Sequence, residues 1–342
     1  MAFEVRITQG KAGDRSGEVY ELIDTAGTVR AEVWPQHGFN CLKWQVRQPD
    51  GRWADILFHM PDWETAAVPT RSGHPILFPF PGRLREGRFN FQGKTYQLPF
   101  TDSTKQHAIH GFTPRNPWRV ADWNGDDTFA FITGEFNLAK DLPSALPLWP
   151  ADFKLSITYR LHADRLRVDA RVENVGPGPL PCGLGYHPYF RLPGMNELDI
   201  GGCVLQANVK EVWETENSLP TGWRKELPAE LDFRHPHAVS ATAFDHVFTG
   251  VFGDETRNSG FIELANLSHP QASGRLRVLA DRSFRELVLF IPQHRHAVAI
   301  EPYSCSADAA NFCERGIDSG WRVLEPGGEW ESAVEYRWEA GI

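Results

Sequence analysis

Several things are scarce in this sequence, and each shortage excludes a class of protein. Five cysteines (Cys41, Cys182, Cys203, Cys305 and Cys313) form an odd set without a Cys-x-x-Cys pair. Such a set suits free thiols in a reducing compartment better than a disulfide framework or a zinc cradle. Basic runs are missing, and the formal net charge is −9, so a nucleic-acid partner is not expected. No stretch approaches the roughly 18 consecutive apolar residues of a membrane span. The start, Met1-Ala-Phe-Glu-Val-Arg6, carries an early acid and lacks the apolar centre of a signal peptide. The expectation is a cytoplasmic protein with no membrane partner; nothing in the sequence signals an oligomeric state.

Cofactor signatures are scarce too. No G-x-G-x-x-G follows a strand pattern, and there is neither a G-x-S-x-G elbow nor an H-E-x-x-H. His235/His237 and His294/His296 each put two rings on one face of a strand. With 13 histidines, such spacings arise by chance, and no cysteine pair supports them. No metal and no cofactor are expected.

Turn formers and aromatics, by contrast, are abundant: 30 Gly, 25 Pro, 22 Phe and 12 Trp. Many turns favour short strands over long helices. Period-two alternation marks Leu155–Leu161 and Leu166–Val172, separated by a hairpin-length loop. Glu18–Ile23 with Thr28–Trp34, and Arg88–Gln92 with Thr95–Leu98 around Gly93, read as further hairpins. Leu287–Ile291 and Ala297–Ile300 are continuous apolar runs, as in strands buried on both faces. Helical signal is confined to short pieces, one near Asp308–Glu314. At 342 residues, two domains would be a reasonable prior. Strand patterns nevertheless run from end to end with no linker or repeat. The expectation is one all-β domain, residues 1–342, of packed sheets.

The chemistry-bearing positions sit among these strands. In Gly183-Leu-Gly185-Tyr-His187-Pro-Tyr-Phe190, Pro188 biases His187 towards extended backbone. An imidazole there can donate or accept a proton near neutrality; a structural histidine at a strand end fits equally well. Glu301, in Ile300-Glu301-Pro302-Tyr303, closes an apolar run, where a carboxylate is costly unless partnered. Desolvation there raises its proton affinity, as a general base requires, although a salt-bridged strand end would look the same. His110-Gly111 follows an apolar approach, and Arg83 follows the rigid Pro79-Phe-Pro-Gly82 turn, offering a fork of donors. Asp245 lies in the apolar frame Phe244-Asp-His-Val-Phe248.

In order along the chain, these segments resemble the aldose 1-epimerase (mutarotase) family. The matching stretches are Gly87-Arg-Phe89 with Gly93-Lys-Thr-Tyr96-Gln-Leu98, His110-Gly111, and Gly185-Tyr-His187-Pro-Tyr-Phe190. They continue through Leu219-Pro-Thr-Gly222, Asp245-His-Val-Phe248, Glu301-Pro302 leading to Asn311, and Leu324-Glu-Pro-Gly327. The resemblance implies a large galactose mutarotase-like β-sandwich that binds a small-molecule sugar in an open groove. Glu301 resembles the base at the anomeric hydroxyl, and His187 the acid at the ring oxygen. Arg83, His110 and Asp245 resemble the groups that hold the sugar, and Trp118 and Tyr189 lie beside the motifs as aromatic faces. Three positions depart from the galactose-type pattern: Gly82 stands where an asparagine is found, Phe112 for a second glycine, and Tyr303 for a glutamine. They leave the substrate open, including a hexose 6-phosphate held by Arg83, Arg85, Arg88 and Arg115. A sugar-binding protein of the same fold without turnover is the alternative of a different class.

Overall fold

The computed structural model describes residues 2–65, 69–194, 200–239, 244–254, 259–272 and 274–341. Three antiparallel sheets make up most of it. A five-stranded meander runs from Phe3–Ala12 to Trp53–Asp55 in sequence order. The nine-stranded sheet begins with Arg119–Gly125, Ala130–Asn137, Phe153–Leu161 and Arg165–Asn174. The long strand Glu329–Ala340 then joins beside Arg165–Asn174, and Gly274–Ala280 beside that. The third sheet runs Leu219–Glu226, Glu211–Glu216, Asp245–Thr249, Glu286–Phe290, Val298–Tyr303, Gly185–Tyr186, Ile76–Leu77, with Tyr189–Phe190 also pairing with Val298–Tyr303.

The alternation in the sequence accounts for these strands. In Phe153–Leu161 every second residue is buried, and Phe153, Leu155, Ile157, Tyr159 and Leu161 point into the core. The expected hairpin forms in full register, from Phe153 opposite Asn174 to Leu161 opposite Leu166. The Arg88–Phe91 and Lys94–Gln97 hairpin turns through Gln92 (φ 48°) and Gly93 (φ 76°), the backbone of a tight two-residue turn. The α-helices among the described residues are Leu138–Asp141 and Ala309–Glu314. The second lies where the sequence predicts one. An all-β sandwich with few short helices is therefore what the chain forms.

The third sheet divides its side chains between two tasks. Leu287, Leu289, Val298 and Ile300 join the main core, together with Tyr159 and Tyr336 of the nine-stranded sheet. Their neighbours along the strands, Val288, Phe290, Ala299, Glu301 and Tyr303, lie on the opposite face. That face carries the groove described next. Among the described residues, no helix is long and apolar enough to cross a membrane.

Candidate active site

Pairing register brings the predicted residues together. Asp245 pairs with Phe290, Phe290 with Ala299, and Ala299 with Tyr189; one row along, Val247 pairs with Val288 and Val288 with Glu301. On the far side of the strand Val298–Tyr303, Gly185 pairs with Tyr303 and Tyr189 with Ala299. His187 thus falls opposite Glu301, in the same row. Its own backbone N–H is taken by the Pro75 carbonyl at 3.0 Å, and Pro188 has none to give. The histidine sits between the short strands Gly185–Tyr186 and Tyr189–Phe190.

His187 Nε2 lies 3.3 Å from Glu301 Oε1, and both side chains are buried. The Tyr189 ring stacks on the imidazole at 4.6 Å. Its hydroxyl donates to the Thr70 carbonyl at 3.0 Å and stands 3.4 Å from His187 Nε2. The Tyr303 hydroxyl donates to Glu301 Oε2 at 2.8 Å. His187 Nδ1 has no hydrogen-bond partner among the described residues.

Burial drives the two groups in opposite directions because it disfavours charge on either. His187 is lowered to about 3. Burial raises Glu301 well above the usual carboxylate range, the Tyr303 hydrogen bond opposes this, and the Asp245 charge adds to it. Between those limits the pair holds one proton. A carboxylic acid beside a neutral imidazole and a carboxylate beside an imidazolium contain the same atoms. They differ by one proton transfer across the 3.3 Å contact.

The other predicted residues surround this pair. His110 sits edge-on to His187, ring centres 5.6 Å apart. Its Nδ1 accepts from the Gly82 N–H at 3.2 Å, which leaves the ring hydrogen on Nε2 in the neutral tautomer. Burial, then the charges of His187, Arg115 and Arg83, keep it well below an ordinary histidine. His110 has a left-handed backbone (φ 65°), followed by Gly111 at φ 67°. A Cβ on Gly111 would stand 2.1 Å from the Phe78 carbonyl oxygen, so only glycine allows this approach. Arg83 reaches Asp102 only at 3.9 Å. Asp245 lines the groove; partial loss of water there raises its carboxyl, and the Arg83 and His246 charges oppose this. Together these groups line a cavity of about 770 Å³, which also takes in Arg71, Arg115 and His294.

Comparison with known proteins supplies the family. The family model described as aldose 1-epimerase matches residues 19–337. The chain belongs to the aldose 1-epimerase family. Two Escherichia coli K12 proteins resemble it in sequence. YihR is 26% identical over 245 residues, 71% of this chain and 72% of that protein. YphB is 27% identical over 206 residues, 59% and 63% of the respective chains. Among solved structures, a galactose mutarotase-like protein of Clostridium acetobutylicum superposes with a TM-score of 0.83 at 21% identity, covering 98% of this chain and 99% of the other. Galactose 1-epimerase of Lactobacillus acidophilus gives 0.75 at 18%, with 99% of each chain covered. These two likenesses establish the galactose mutarotase-like fold.

The three departures from the galactose-type pattern have local reasons. Gly82 has φ 68°, and a Cβ there would meet Ala307 Cβ at 2.7 Å. Phe112 turns away from the groove and packs edge-on to Trp149. Tyr303 fills the place beside Glu301.

Some expectations need correction. Trp118 is not a groove wall: it is buried, stacked on Phe39 at 5.4 Å, and its Nε1 donates to the Thr113 carbonyl. Of the four arginines considered for a phosphate, Arg83 and Arg115 line the groove. Arg85 is engaged with Asp308 and the Pro220 carbonyl, and Arg88 is exposed on its hairpin. Thr70 and Arg71, which also line the groove, lie in Thr70-Arg-Ser-Gly73, a stretch that matches no motif. His294, which the sequence offers only as half of a His-x-His pair, also lines the groove. No group of three or more potential metal ligands occurs among the described residues.

Proposed function

We propose that this protein is an aldose 1-epimerase, acting as a single domain in the cytoplasm, with Glu301 and His187 as its acid–base pair. The observation that carries this reading is the 3.3 Å contact between His187 Nε2 and Glu301 Oε1 on the floor of the groove. Anomer exchange needs a base at one oxygen of the anomeric carbon and an acid at the other. Two proton-transfer groups side by side match two oxygens bonded to one carbon.

The reaction starts from the carboxylate–imidazolium form of the pair. Glu301 takes the proton of the C1 hydroxyl as C1=O forms. The bond from C1 to the ring oxygen breaks, and His187 protonates that oxygen. Rotation about C1–C2 turns the other carbonyl face to the hydroxyl. On closure the hydroxyl attacks C1, its proton returns to His187, and Glu301 returns its proton to O1. The enzyme ends as it began. Each positioned group typically contributes about 10²–10⁴-fold. Arg83, His110 and Asp245 hold the sugar by its ring oxygen and hydroxyls. Five free cysteines are compatible with a reducing compartment.

A second reading of the substrate is favoured by one observation. Three guanidinium groups, from Arg71, Arg83 and Arg115, line the groove. Among the described residues, Arg115 donates to the Ile109 and Thr101 carbonyls, and the ion-pair partner of Arg83 is Asp102 at 3.9 Å. Their remaining donors suit a phosphorylated aldose. Polarimetry or NMR of freshly dissolved anomers, run on free and 6-phosphorylated hexoses, separates the two readings. Binding without faster equilibration of any aldose in the panel would instead identify a non-catalytic sugar-binding protein.

A further inference from the structure

We infer that Tyr303 is a positioning residue for the acid–base pair: its hydroxyl ties down Glu301 Oε2 and leaves Oε1 as the oxygen that exchanges protons. This rests on the proposed role of Glu301. Residues 301 and 303 lie two apart on one strand, so both side chains stand on the groove face. The tyrosine is long enough to lean along the strand and donate to Oε2 at 2.8 Å. The terminal torsion of a glutamate is broad and nearly two-fold. A hydrogen bond to one oxygen therefore removes a freedom that the side chain would otherwise keep.

The ring is built in. It packs with Leu77, Val247, Val288 and Phe312. A Cβ on Gly185 would lie 2.7 Å from Tyr303 Cδ1 and 2.6 Å from Pro81 Cβ. The glycine two residues before His187 thus makes room for the ring that steadies Glu301. Tyr189 differs in its wiring. Its proton goes to the Thr70 carbonyl, so towards His187 Nε2 it can only accept. Tyr303 alone among these two aims its donor at the carboxylate, and a hydrogen bond to the charged form favours that form. The titratable groups facing Glu301 from the neighbouring strands are His187 and Tyr189 on one side and Asp245 on the other, with Arg83 beyond Asp245.

Tyr303→Phe removes only the hydroxyl. The expected result is about a tenfold fall in kcat with KM within twofold, and a pH–rate profile displaced upward by about one unit, because the carboxylate loses a donor. Glu301 is also read without substrate, by ¹³C NMR of carboxyl-labelled glutamate, its signal assigned by its loss in Glu301→Gln. Its titration is expected to shift upward by the same amount. Tyr303→Met is a second variant without the hydroxyl, with the same expected direction. Unchanged kcat and a superposable pH titration in a folded variant would overturn the inference. So would a loss of kcat that tracks a lower melting temperature with no pH displacement. Failure of the pair itself is separate: it appears as an undiminished rate in Glu301→Gln, whatever Tyr303→Phe does.

Discussion

Two buried histidines, His74 and His187, sit on opposite sides of the third sheet and invite comparison. Burial lowers both to about 3. Each has two oxygen neighbours: the Tyr159 and Tyr336 hydroxyls for His74, at 3.0 and 2.8 Å, and Tyr189 and Glu301 for His187. His74 is sealed between the sheets, satisfied at both nitrogens by neutral partners. His187 meets a carboxylate on the floor of a groove, and its Nδ1 is unpartnered among the described residues. The same shift with the same cause thus accompanies two different situations. Access and the charge of the partner separate them; the size of the perturbation does not.

The comparison breaks first if activity does not follow the groove histidine. Glu301→Gln and His187→Asn are each expected to slow anomer equilibration by about 10²–10⁴-fold, measured by polarimetry, with melting temperatures little changed. Undiminished rates would remove the pair from the mechanism. Next comes the core histidine. His74→Phe leaves two buried tyrosine hydroxyls without their ring partner and is expected to cost about 2–5 kcal/mol in denaturant unfolding. Its kcat per folded molecule should stay near wild type, and a large specific loss would erase the distinction drawn here.

The pH profile sharpens the contrast further. Because burial lowers His187 and raises Glu301, the one-proton pair persists across a wide range. The rate is expected to show no acid limb above pH 5 and to fall on the alkaline side as the shared proton is lost. An acid limb near 6.5, where an ordinary histidine titrates, would contradict this. The smallest effect concerns Glu286, which accepts from Trp213 Nε1 and Thr249 Oγ1 and is raised to about 7 by burial. Its folded value lies above its unfolded one. The stability it lends is therefore complete below about pH 4.5 and lost as pH rises through 7. Wild type should lose stability between pH 5 and 8, and Glu286→Gln should lose less; equal slopes would refute the assignment.

Much of this was legible in the sequence, for physical reasons. Alternation in Leu155–Leu161 and Leu166–Val172 gave strands because one face of each must be buried. His187 and Glu301 were visible as titratable groups on apolar, proline-stiffened segments. Their meeting was not: it depends on the register of Gly185 against Tyr303, 118 positions apart by number (303 minus 185), and no local pattern encodes such a pairing. Thr70 and Arg71 reach the groove from the short 3-10 turn Pro69–Arg71, whose placement follows from tertiary contacts. Trp118 misled because an aromatic beside a motif can face either way, and this one faces Phe39 and Phe136.

The row that joins Val247, Val288, Glu301 and His187 has one more consequence. Neighbouring strands of a sheet keep a fixed spacing of about 4.8 Å, set by backbone hydrogen bonds that no side chain controls. The proposed base Glu301 stands inside one strand, and the proposed acid His187 lies between the two short strands Gly185–Tyr186 and Tyr189–Phe190 that pair with it, so the sheet acts as their gauge. Loops around the groove can change in length and chemistry without altering the interval between His187 and Glu301.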